Sequence, residues 1–71
     1  MTGIEKRSVT IRGHRTSVSL EPAFMAEIER IAGERGVTLA ALVASVDESR
    51  AEGTNLSSAL RLLVLETLRQ R

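Results

Sequence analysis

The chain is 71 residues long with no Cys, one His, one Phe and neither Trp nor Tyr, and its net charge is only +1. That composition excludes disulfides and thiolate metal sites, and His14 alone cannot anchor a site of three or four ligands, so neither metal nor cofactor is expected. A domain this small buries only about 60% of its unfolded surface, and with disulfides and metal removed, self-association is the remaining aid to stability.

Charge is placed unevenly along the chain. Ahead of Glu21, four basic residues face one acid; from Glu21 onward, six Arg face eight acids. A basic end on a mildly acidic body suits a polyanionic partner touched by one side of the molecule. Residues 1–7 carry Lys6 and Arg7 and read as a flexible basic end, ahead of a single domain over 8–71.

Residues 8–20, SVTIRGHRTSVSL, alternate β-branched and polar side chains. Over about 14–20, Thr16, Val18 and Leu20 share one face and Arg15, Ser17 and Ser19 the other, the period of two of a strand with one face buried. Val9 and Ile11 form a shorter apolar set before it, and Gly13 marks a bulge, bend or turn. Pro22 suits the first position of a helix over about 22–35, with Phe24, Ile28, Ile31 and Ala32 at helical spacing and Gly36 past its end. Thr38 reads as the N-cap of a second helix, about 38–50, striped by Leu39, Leu42, Val43 and Val46. Thr54 or Asn55 opens a third over about 55–70. Its unbroken run Leu62-Leu63-Val64-Leu65 is too apolar for a one-sided helix, so a second protomer or another protein is the expected cover.

A strand has two edges of backbone donors and acceptors to satisfy, and only one strong strand region is present. Two routes are open: a hairpin turning at Arg12-Gly13-His14, or antiparallel pairing of residues 14–20 with a second copy. An isolated hairpin is marginal, so pairing between copies is preferred, without excluding a hairpin added to it.

The order Arg15-Thr16-Ser17-Val18-Ser19-Leu20, Glu21-Pro22, an amphipathic helix, Gly36-Val37-Thr38 and a Leu/Ala/Val helix resembles the ribbon-helix-helix DNA-binding family over residues 15 to about 50. The longer stretch KRSVTIRGHRTSVSLEPAF, with NLSSALRLLVLE, is similar to a short bacterial subfamily of that fold. The resemblance implies a mainly α fold with one N-terminal β region: an intertwined homodimer with an intermolecular two-stranded ribbon, plus an additional C-terminal helix. It further implies double-stranded DNA as partner, with Arg15, Ser17 and Ser19 entering the major groove. Arg can bind guanine O6 and N7 together, and a Ser hydroxyl serves several base edges. Phosphates would be held by Lys6, Arg7 and Arg12 and by the start of the second helix, Thr38, Leu39 and Ala40, where free N–H groups and the helix dipole favour an anion.

No nucleophile–base set, phosphate-cradling Gly loop or acid pair in an apolar frame is present, so an enzyme is not expected. Nor does any apolar run approach the roughly 20 residues of a membrane span, and the start lacks a signal-peptide stretch; a cytoplasmic transcriptional regulator is the expectation. The alternative is an antitoxin-like adaptor that binds protein through the third helix.

Overall fold

In the computed structural model, which describes residues 3–70, a two-stranded ribbon is followed by three helices. Strand β1 spans Glu5–Ile11 and β2 spans His14–Leu20. Helices α1, α2 and α3 span Pro22–Arg35, Leu39–Ser49 and Leu56–Arg69.

The ribbon lies within one chain. β1 and β2 pair antiparallel from Glu5 opposite Leu20 to Ile11 opposite His14. This is the hairpin that the sequence left open beside pairing between copies, and β1 takes up Glu5, Lys6 and Arg7 from the stretch read as a flexible end. Two physical facts favour the hairpin. The register puts Val9 and Ile11 on the same face as Val18 and Leu20, so four apolar side chains enter the core together. The hairpin is also not isolated: three helices back its apolar face, which removes the marginality of a free one.

The link is Arg12-Gly13, and both residues have positive φ (49° and 78°). Positive φ at both central residues is what a type I′ turn requires, and its twist matches that of the flanking strands. Gly reaches that conformation without penalty, whereas a residue bearing Cβ pays about 1–2 kcal/mol. Arg12 bears that cost at the first position. Gly13→Val, a β-branched residue at φ 78°, is expected to lower stability by at least about 1 kcal/mol, read as an earlier urea midpoint. An unchanged midpoint would show that the turn is not held in this geometry.

Helix ends follow from local chemistry. Pro22 occupies the first turn of α1, and Gly36 ends it with φ 70°. The Gly36 N–H donates to the Gly33 carbonyl (3.1 Å) and the Val37 N–H to the Ala32 carbonyl (3.0 Å), satisfying carbonyls the helix leaves open. Thr38 Oγ1 accepts from the Ala41 N–H at 3.0 Å, and Asn55 Oδ1 accepts from the Ser58 N–H at 2.8 Å. Glu21, ahead of α1, is held below the usual glutamate range, first by its own backbone N–H and then by Arg61 of α3.

The core joins the inner ribbon face to all three helices. Val18 and Leu20 meet Met25, Ile28 and Ile31 of α1, Leu42 and Val43 of α2, and Leu60 and Val64 of α3. Each of these side chains is at most 3% exposed, so one chain closes this core without help from a second. On α3, only Leu60 and Val64 are fully inside; Leu62, Leu65 and Leu68 stay exposed. Among the described residues no helix is long and apolar enough to cross a membrane.

Candidate nucleic-acid interface

Alternation along the hairpin sorts its side chains into two faces. Val9, Ile11, Val18 and Leu20 point to the helices. The opposite face carries three cross-strand pairs: Lys6 with Ser19, Ser8 with Ser17, and Thr10 with Arg15. Lys6, Ser8, Thr10, Arg15 and Ser17 are exposed there and Ser19 is half-buried. Arg15, Ser17 and Ser19 thus share one outward face, joined by three residues of β1. Of these, sequence reading missed Ser8 and Thr10 as part of the surface. Their signal was the alternation Ser8, Thr10 against Val9, Ile11, but which face they would share depended on the pairing.

The hairpin's four cations divide by face. Arg7, on the inner side at the open end, donates to Glu5 at 2.8 Å and to Glu29 of α1 at 2.9 Å. Hydrogen bonds to those two carboxylates hold its charge more firmly, raising its pKa. Arg12, at the turn, reaches Asp47 at 2.6 Å and Glu48 at 3.3 Å near the end of α2. These contacts tether both ends of the ribbon to the helices and neutralise both guanidinium groups. Lys6 and Arg15 make no ion pair among the described residues, and both lie on the outward face.

Most acids of the helical body are likewise used internally. Arg30 pairs with Glu27 and Glu34 along α1, Arg50 with Asp47, and Arg61 with Glu21 while lying 5.8 Å from the Phe24 ring centre. The result is a body whose charges largely cancel, beneath a face with two free cations and four hydroxyls. A ribbon of this kind can offer multivalent hydrogen bonds to a polyanion with little acid nearby to repel it.

Thr38, Leu39 and Ala40 stand at the start of α2. The Ala41 amide is taken by the Thr38 side chain, while the amides of Leu39 and Ala40 lie in the first turn, where a helix supplies no acceptor of its own. His14 is exposed beside the turn, opposite Ile11. Among the described residues, no three His, Asp or Glu side chains converge to hold a metal ion.

A two-stranded antiparallel ribbon on a bundle of three helices, polar outside and apolar inside, defines a ribbon-helix class of small domain. The family model of the ribbon-helix-helix domain matches residues 4–68, and the chain belongs to that family. No curated protein and no solved structure matches it.

Proposed function

We propose that the chain is a DNA-binding transcriptional regulator that lays the outward face of its ribbon into the major groove of double-stranded DNA. Domains of its family typically bind DNA and regulate transcription. The observation that carries the reading is the segregation of hairpin charge: Lys6 and Arg15 are free on the hydroxyl-rich face, while Arg7 and Arg12 are held by acids on the helices.

In this role Arg15 reads a purine edge, with Ser17 and Ser19 contacting bases beside it, and Lys6 supplies phosphate contact. The first-turn amides of α2 at Leu39 and Ala40, beside the Thr38 cap, suit a second phosphate. Arg7 and Arg12 join the phosphate contacts only by exchanging their carboxylate partners for DNA. Family members generally bind DNA as dimers, and two copies on neighbouring half-sites would double these contacts.

The test is selection of bound fragments from random double-stranded DNA, followed by gel-shift titration across salt concentrations. A recovered consensus and an affinity that falls steeply with salt are expected, since each neutralised phosphate releases counterions. No enrichment, or binding indifferent to salt, overturns the proposal.

A second reading rests on α3. Leu62, Leu65 and Leu68 are exposed along it, beside a groove of about 300 Å3 between α2 and α3 lined by Val46, Ala59, Leu62 and Leu63. An adaptor that binds protein through this helix would show no DNA enrichment in the same selection.

A further inference from the structure

We infer that Asp47 and Glu48, near the end of α2, are specificity-determining residues: they hold the Arg12 guanidinium back from DNA phosphate and so keep binding to unrelated sequences weak. The inference rests on the groove-reading proposal above and adds a control over one of its cations.

Arg12 stands at the edge of the reading face. It continues the outward series Lys6, Ser8, Thr10 and lies at the tip of the ribbon, just past the Thr10–Arg15 pair. Free, it would add a charge beside the phosphates that rim the groove, a contact that carries no sequence information. Instead its Nη2 donates to Asp47 Oδ2 at 2.6 Å and its Nη1 to Glu48 Oε2 at 3.3 Å.

Neither side of this contact stands where local chemistry would put it. Arg12 has φ 49°, at a turn position that favours Gly, Asn or Asp. Asp47 and Glu48 lie in the last turn of α2, which holds no basic residue, at the end of a helix whose partial negative charge disfavours acids. Local stability explains neither choice, and such breaches collect at functional sites. What the two breaches achieve together is a contact across 35 and 36 residues.

Charge balance makes the hold effective. Asp47 Oδ1 also accepts from Arg50 Nε at 2.8 Å, so two cations meet two acids. If Arg12 moved to a phosphate, Arg50 would remain for one acid and the other would face the DNA uncompensated. Unrelated sequences feel that penalty most. Non-specific binding is almost wholly electrostatic and can slide to whatever register suits its cations, whereas base contacts fix the register of the selected complex. Withholding a cation therefore weakens the wrong duplex more than the right one.

The test compares the full chain with the double variant Asp47→Asn, Glu48→Gln, and repeats the pair in an Arg12→Ala background. Anisotropy titrations on selected and scrambled duplexes run between about 50 and 200 mM salt. With Arg12 freed, the scrambled duplex should be bound severalfold more tightly, the selected one should gain less, and the salt slope on the scrambled duplex should steepen by about 0.9. In the Arg12→Ala background that increment should vanish. Both backgrounds share the loss of two negative charges, and only one has a guanidinium to release. Glu48→Gln alone, at a side chain 75% exposed, keeps the fold and should move the slope in the same direction. An unchanged slope in both acid variants, an equal increment with and without Arg12, or equal gains on the two duplexes overturns the inference. So does weaker binding to both duplexes with an earlier thermal midpoint, which would make the acids a brace for the turn and nothing more. If Arg15→Ala keeps full discrimination while the increment still depends on Arg12, the reading role of Arg15 falls and the hold on Arg12 stands. Failure of the unaltered chain to bind any DNA would sink both.

Discussion

Leu60→Ala is expected to remove about 2–5 kcal/mol of folding stability, the usual cost of emptying a leucine-sized volume in a closed core. Leu60 is 0% exposed and sits in the cluster that joins α3 to β2, α1 and α2. For a 71-residue domain, total stability scales to roughly 4–11 kcal/mol, so this one change would consume a large fraction of it. The ribbon would suffer with the helices, because the Ser57 hydroxyl that meets Ser19 lies one turn before Leu60 on the same helix. Urea denaturation followed by circular dichroism reads the effect, with Leu62→Ala as the control. Leu62 is 55% exposed, and its truncation should stay within about 0.5 kcal/mol. Equal midpoints for the two variants would mean that α3 does not seal the core as described.

Arg15→Ala carries the largest expected effect on binding. Loss of a guanidinium that donates two hydrogen bonds to one guanine should cost about 1–3 kcal/mol at the selected site and relax base choice there. The fold should be untouched, because Arg15 is exposed and makes no ion pair among the described residues. Lys6→Gln makes the useful contrast. As a phosphate contact, Lys6 should weaken all sequences alike and reduce the salt slope by about 1. Both variants are titrated by anisotropy against selected and scrambled duplexes. If Arg15→Ala weakens the two duplexes equally, Arg15 is only another phosphate contact, and the reading role passes to the hydroxyls.

Much of this architecture was legible before any coordinates. The helices announced themselves through Pro22, Gly36, the Thr38 cap and leucines at helical spacing, all of which act within a few residues of themselves. The strand about Arg15–Leu20 did so through its period of two, and the outward set Arg15, Ser17, Ser19 followed from that period alone. The hairpin was harder to see. Type I′ turns advertise themselves with Asn or Asp before Gly, whereas here Arg12 holds that position at a positive φ. Its side chain bonds Asp47 and Glu48, more than thirty residues away.

Charge shows the same division. Four cations ahead of Glu21 looked alike in the sequence, and only two of them are free. Glu29 lies 22 residues from Arg7, and Asp47 and Glu48 lie 35 and 36 from Arg12, so only the fold brings these carboxylates to them.

What the sequence determined by itself was therefore the local part: one polar and one apolar face per element, where each helix begins and ends, and a basic ribbon on a mildly acidic body. The tertiary structure alone decided which strand of the same chain pairs with β2 and which cations remain available to a polyanion. Backbone donors and acceptors are the same at every residue, so a strand edge carries no address for its partner. The pairs of Arg7 with Glu29 and of Arg12 with Asp47 and Glu48 join groups that only folding brings within about 4 Å. Those of Arg30 and Arg50 differ, because a spacing of three or four residues along a helix already encodes the contact.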